Sequence, residues 1–70
     1  MDKTEIAKLE RFLRRTFANH YVRVTARPKK TDSAEVYIGE EFIGVIFVDD
    51  EDDDRSFNFQ MAILAEDLEG

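Results

Sequence analysis

A change in the spacing of apolar residues near position 20 constrains the fold of this 70-residue chain more than any other feature. Before it, apolar residues recur every three or four positions, as on one face of an α-helix. These residues are Ile6, Leu9, Phe12, Leu13 and Phe17. After it, apolar and polar residues alternate, as they do in half-buried β-strands. The sequence therefore predicts one N-terminal amphipathic helix followed by strands.

The predicted helix covers about residues 3–18 and has signals at both ends. Asp2 is a candidate N-cap, and Glu5 is placed three positions later to complete a capping-box pair. Asn19 is a candidate for the left-handed residue that ends a helix. We expect the apolar stripe of this helix to cover one face of a sheet.

Four alternating segments follow the helix, with short runs of turn-forming residues between them. The segments are 21–27, 34–38, 42–48 and 56–64. Short connections make neighbouring strands antiparallel, because a parallel pair needs a crossover of a dozen or more residues. The turns are predicted at 28–33, at 39–41, where Gly39 supplies a positive φ, and at 49–55.

The predicted fold class is α+β, as a single domain over residues 1–70. An N-terminal amphipathic helix packs on a four-stranded antiparallel β-meander, and a small closed β-barrel with an N-terminal helix is the alternative. Residues 61–68 either continue the last strand or turn into a short helix. The predicted core joins the helix to one sheet face through Ile6, Leu9, Leu13, Phe17, Val22, Val24, Val36, Ile38, Phe57 and Phe59.

The third strand is apolar on both of its faces, although one helix can cover only one of them. One set of side chains is Phe42, Ile46 and Val48, and the other is Ile43, Val45 and Phe47. An apolar face without a partner in the chain predicts self-association, barrel closure or a binding platform.

The net charge of −6 is unevenly distributed along the chain. Residues 1–30 carry nine basic and three acidic residues, 9 − 3 = +6, whereas residues 31–70 carry one and thirteen, 1 − 13 = −12. Such asymmetry indicates either a charged partner or contacts between the two halves. We expect the partner to be a protein with a basic surface or a second copy of this chain.

Six consecutive acidic residues separate the third and fourth predicted strands. A calcium loop of the EF-hand type needs glycine at position 6 and glutamate at position 12, and a loop starting at Asp49 has Asp54 and Gln60 there. No dedicated metal site is therefore predicted. The run is either a solvated turn that discourages aggregation or a docking surface for a basic protein. The candidate docking residues are Asp49, Asp50, Glu51, Asp52, Asp53, Asp54, Glu40 and Glu41.

The chain lacks the residues that common catalytic sites require. It has no cysteine, and its one histidine, His20, has no patterned serine or aspartate beside it. Three glycines do not form a phosphate-binding loop. We expect no enzymatic activity, no cofactor and no catalytic residue.

Hydropathy and cysteine content favour a cytoplasmic location. No apolar run approaches the ~20 residues of a membrane span. Small secreted domains usually depend on disulfides, which this chain cannot form.

Single-stranded RNA binding is the alternative function. Aromatic and arginine side chains on an open sheet stack on bases and hold phosphates. The candidate residues are Tyr21, Arg23, Arg27, Lys29, Lys30 and Tyr37. We rank this function behind protein binding, because the negative net charge repels nucleic acid at long range.

The stretch "RPKKTDSAEVYIGEEFIGVIFVDDEDDD", with "LRRTF" before it and "FQMAIL" after it, resembles a small family of proteobacterial proteins. That family is known as a domain of unknown function, and the resemblance covers about Ile6 to Leu68. It implies a compact bacterial cytoplasmic protein that forms a complete domain. It implies no activity, cofactor or site residue.

Overall fold

A computed structural model describes residues 1–52 and 54–69 of the chain. Its elements are helix α1 (Lys3–Thr16), strands β1 (Val22–Arg27), β2 (Lys30–Ile38), β3 (Glu41–Asp52) and β4 (Asp54–Gln60), and a 3-10 turn (Ala65–Leu68). The strands form one antiparallel sheet in the order β1-β2-β3-β4. This confirms the predicted helix and meander. The sheet is open, so the barrel alternative is wrong.

Only one of the two hydrogen bonds of the predicted capping box forms at the start of α1. The Glu5 backbone N–H donates to the Asp2 carboxylate at 2.8 Å, as expected for an N-cap. The Glu5 carboxylate binds Arg55 of β4. This side chain therefore ties the helix to the sheet, which the local sequence pattern did not indicate.

The end of α1 differs from the prediction, because Ala18 and not Asn19 adopts the left-handed conformation, with φ of 52°. The Ala18 N–H donates to the Arg15 carbonyl at 3.3 Å, and the Asn19 N–H donates to the Arg14 carbonyl at 2.9 Å. These two bonds form a Schellman motif, in which glycine usually takes the left-handed position.

Replacing Ala18 by glycine is expected to stabilise the fold. The Cβ of a non-glycine residue makes this conformation unfavourable, so Ala18→Gly should raise the free energy of unfolding by about 1 kcal/mol. Urea denaturation measures the change. Ala7→Gly, in the middle of the same helix, is the matched control and should lower the free energy by about 1 kcal/mol. A decrease for both variants would contradict the proposed strain.

Two of the predicted connections are much shorter than expected. The first turn is only Pro28–Lys29, since β2 already begins at Lys30. The acidic run is not a separate loop, because β3 continues to Asp52 and β4 begins at Asp54. Because the turns are tight, the strands stay hydrogen-bonded through segments that are rich in polar residues. Solvent screens the repulsion between the exposed carboxylates there.

The C-terminal segment follows neither predicted alternative over its full length. Strand β4 ends at Gln60, the next four residues lie in no helix or strand, and the 3-10 turn follows. The Leu64 N–H donates to the Asp67 carboxylate at 2.9 Å, which holds the start of this turn.

The core lies between α1 and one face of the sheet. Its buried apolar residues are Leu13, Val22, Val24, Ala34, Val36 and Ile46. Helix α1 packs mainly against β1, at one side of the sheet. For this reason Phe57 and Phe59 of β4 are only partly buried. The predicted core residues Phe17 and Ile38 are 51% and 37% exposed. Phe17 nevertheless contacts the Phe59 ring edge-on, at 6.3 Å between centroids.

Candidate functional site

A bulge at Ile43 determines which side chains of β3 lie on each face of the sheet. The register shifts there, so that Val36 of β2 pairs with Gly44 whereas Tyr37 pairs with Phe42. As a result, Phe42 lies on the same face of β3 as Val45 and Phe47, the face away from α1, which we call the open face. The β3 residues on this face are Phe42, Val45 and Phe47.

The open face holds a groove of about 860 Å³ between β3 and the C-terminal segment. Its apolar lining comes from both walls: Phe42, Val45, Phe47, Met61, Ile63 and Leu64. Glu41 and Asp67 also line the groove and bring negative charge to it. About half of the Phe42 side chain and 64% of Ile63 are exposed. The groove is thus an apolar surface with acidic residues at its borders.

Gly44 allows β4 to lie close to the edge of this groove. A Cβ at Gly44 would lie 2.4 Å from the Gln60 carbonyl oxygen and 2.7 Å from a Phe59 ring carbon. Phe59 therefore covers the glycine, as aromatic residues do for glycines in designed sheets. A larger residue at this position would therefore displace β4 or the Phe59 ring.

Beside the groove, an arginine and two aromatic rings pack on the open face. The Arg23 guanidinium lies 4.9 Å from the centre of the Tyr37 ring, and Tyr37 contacts Phe42 edge-on at 5.6 Å. The Arg23 Nε donates to the Gly39 carbonyl at 2.7 Å. The Tyr37 hydroxyl donates to the Glu35 carboxylate, and this bond raises the pKa of Tyr37. Both polar groups of the cluster therefore have partners within the fold.

The structure brings together only part of the predicted RNA-binding set. Arg23 and Tyr37 are neighbours on the open face, as described, and Arg27 donates to the Ser33 hydroxyl at 3.3 Å. Tyr21 precedes β1 and packs on His20, with 4.4 Å between the ring centres. Lys29 lies in the first turn, and Lys30 is the first residue of β2.

The acidic run forms a two-stranded arm that extends beyond the rest of the sheet. Pairing of β2 with β3 stops at Ser33 and Phe47, whereas pairing of β3 with β4 continues to Asp52 and Asp54. We call residues 48–52 and 54–57 the acidic arm. Asp53, one of the predicted docking residues, lies outside the described residues.

Glu40 and Glu41 do not join the acidic arm, contrary to the predicted docking surface. They lie at the turn between β2 and β3, whereas the arm lies at the other end of β3. Glu41 and Asp50 are nine residues apart on one strand, which corresponds to roughly 30 Å. The predicted acidic surface is therefore two separate regions.

Arg55 connects the acidic arm to the start of α1. Its guanidinium binds the Glu5 carboxylate through two bonds, at 2.7 and 2.8 Å, and contacts Asp50 at 3.5 Å. These hydrogen bonds lower the pKa of Glu5 and raise the pKa of Arg55. The only basic residue of the acidic half thus has a structural partner in the basic half.

Fold and site together define a class of protein: a small α+β domain with one sheet face under a helix and an apolar groove on the other. Over residues 1–52 and 54–69, no helix is long and apolar enough to cross a membrane. The same part of the chain contains no group of three His, Cys, Asp or Glu residues arranged to hold a metal.

Residues 5–67 match the family described as "Protein of unknown function (DUF3126)", and the chain belongs to this family. This confirms the resemblance to a family of unknown function that the sequence indicated. No curated protein and no solved structure matches the chain significantly.

Proposed function

We propose that this chain is a non-enzymatic protein-interaction module of the bacterial cytoplasm. Its groove binds an amphipathic segment of a partner protein that has an apolar face and basic flanks. The observation that carries this proposal is the combination of an uncovered apolar surface and an acidic border in one groove. Grooves of this kind accept amphipathic helices, which anchor side chains at helical spacing.

The exposure of large apolar side chains supports a binding role for this surface. Phe42, Phe47, Met61, Ile63, Leu64 and Leu68 are each at least 39% exposed, and all of them line the groove. A contiguous apolar patch of this kind is costly to leave in water, and it usually marks an interaction site.

The charge around the groove favours a basic partner over an acidic one. Glu41 and Asp67 line it, and Glu40 and Glu66 adjoin them in the chain. The half of the chain that builds the groove carries a charge of −12 over residues 31–70. Complementary charge at the border of an interface accelerates association and selects the partner.

Binding of a model peptide tests the proposal. The probe is a labelled 16-residue peptide of leucine and lysine with an amphipathic helical pattern, and fluorescence anisotropy measures its affinity. We expect Phe42→Ser to weaken binding at least about tenfold, because it removes an aromatic anchor from the groove. Phe12→Ser is the matched control, since Phe12 is 50% and Phe42 is 51% exposed but Phe12 lies on α1.

Two further measurements distinguish binding in the groove from binding at the acidic arm and from RNA binding. A variant with Asp49→Asn, Asp50→Asn and Glu51→Gln should retain most of the affinity if the groove is the site. Loss of binding in this variant, with Phe42→Ser unaffected, would assign the docking site to the arm. Binding of a single-stranded RNA 12-mer that is lost in Arg23→Ala would favour the nucleic-acid function. Loss of peptide binding in the arm variant alone would contradict the groove, whereas Arg23-dependent RNA binding would support the alternative function.

A further inference from the structure

The two edges of the sheet differ in whether their outward backbone groups are paired. At the β1 edge, Arg14 of α1 donates to the Val22 carbonyl at 2.7 Å, and Glu10 accepts from the Val24 N–H at 3.4 Å. Glu10 and Arg14 also form an ion pair with each other at 3.2 Å. The helix therefore blocks this edge against pairing with another strand, as natural sheets often do.

The β4 edge has no such cover in the part of the chain that the structure describes. Within it, the backbone hydrogen bonds of β4 go to β3, and the only element that packs substantially on β4 is β3. Residues 56–60 of this strand, "SFNFQ", contain no charge and no proline. Charges and prolines are what usually protect an exposed edge strand.

The outward-facing backbone groups of β4 belong to Phe57 and Phe59. In an antiparallel sheet the N–H and C=O of one residue point to one neighbouring strand and those of the next residue to the other. The Val24 N–H points to α1 and therefore away from β2. With this starting point, the strand pairing shows for each residue of β2, β3 and β4 which neighbouring strand its backbone groups face. It assigns Ser56, Asn58 and Gln60 to the ladder with β3.

We propose that the chain forms a two-fold symmetric homodimer in which β4 pairs antiparallel with β4 of a second copy. In the proposed register Phe57 lies opposite the partner's Phe59, and Asn58 lies opposite the partner's Asn58. Both phenylalanines are half-buried on the helix side of the sheet. The two cross-strand aromatic pairs therefore cover the part of the core that α1 leaves exposed.

The geometry of the β4 edge favours a second copy of the chain as the partner. An antiparallel pair of identical strands is self-complementary about a two-fold axis, which is how most soluble dimers assemble. This arrangement also places the two acidic arms at opposite ends of the paired strands, so that their like charges stay apart. A head-to-tail contact between different edges is blocked, because the Glu10–Arg14 pair occupies the β1 edge.

The chain exposes more surface than a typical folded monomer of the same mass. The chain exposes 5653 Å² at a mass of 8.2 kDa. A typical folded monomer of that mass exposes about 4,500 Å². The surplus of roughly 1,100 Å² is of the order that one partner buries in a stable interface, about 800 Å².

The dimer is independent of the proposed groove function. The groove lies on the open face, and the paired edge lies at the side of the sheet. A dimer would therefore present two grooves. If the peptide does not bind, the dimer proposal still stands. If the mass is that of a monomer, the groove proposal still stands.

A single introduced cysteine tests the register. The natural chain has no cysteine, so Asn58→Cys creates one thiol at the two-fold axis. Directly opposite residues in a pair that shares no hydrogen bond lie about 4.5 Å apart between Cα atoms, which suits a disulfide. We expect mild oxidation to link Asn58→Cys at least tenfold faster than Thr25→Cys, which lies on the blocked β1 strand.

The mass of the unmodified chain completes the test. Sedimentation equilibrium at about 200 μM should give twice 8.2 kDa, that is 2 × 8.2 = 16.4 kDa. A mass of 8.2 kDa at this concentration would overturn the dimer. A mass of 16.4 kDa with equal oxidation rates for the two variants would overturn pairing through β4.

Discussion

Gly44→Ala is expected to lower the free energy of unfolding by about 3 kcal/mol, because the new methyl group has no space. Its Cβ would lie 2.4 Å from the Gln60 carbonyl oxygen, a backbone atom that cannot move without shifting β4. The Phe59 ring, at 2.7 Å, would have to leave its position over the glycine as well. A domain of this length has roughly 4–10 kcal/mol of stability, so the loss is a large part of it.

Urea unfolding followed by circular dichroism measures this effect at one fixed protein concentration, since dimerisation would add to the apparent stability. Gly39→Ala is the control. Gly39 has a positive φ of 61° but nothing within 4 Å of its added Cβ, so the cost there is backbone strain of about 1 kcal/mol. An equal loss for the two variants would show that crowding at Gly44 is not the cause.

Ile46→Ala is expected to cost about 3 kcal/mol, the usual range for removing a large aliphatic side chain from a core. Ile46 is 2% exposed and lies in the centre of the helix-facing side of the sheet, opposite Ala34 and Phe59. Its neighbours are held by strand pairing on both sides, so they cannot collapse far into the cavity. The same urea experiment measures the loss.

Ile38→Ala provides the comparison for this substitution. Ile38 has the same chemistry but is 37% exposed and lies at the end of β2, so its removal should cost about 1 kcal/mol. A loss at Ile38 as large as that at Ile46 would contradict the position of the core.

The proposed functions use different parts of one asymmetric sheet. Helix α1 covers the β1 side of one face and blocks the β1 edge, which leaves the open face and the β4 edge free for the proposed contacts. A dimer joined through β4 would carry two grooves and could bind a partner with two basic segments more tightly than one with a single segment. The acidic arm remains a second candidate for contact with a basic protein.

Sequence pattern alone was sufficient for the order of the elements and for their antiparallel pairing. The helix follows from the spacing of Ile6, Leu9 and Leu13, and the N-cap at Asp2 and the turn at Gly39 are present as predicted. These features depend on residues within a few positions of each other. Their periodicity and turn chemistry can therefore be evaluated without knowledge of the rest of the chain.

Long-range contacts account for the features that the pattern did not predict. The bulge at Ile43 depends on the register with β2, and it places Phe42, Val45 and Phe47 on one face. The acidic arm depends on continued pairing of β3 with β4, and Glu5 finds Arg55 fifty residues away. Such contacts depend on how distant segments align in space, which local propensities do not specify. The groove and the two unequal edges of the sheet therefore arise only when the whole chain is folded.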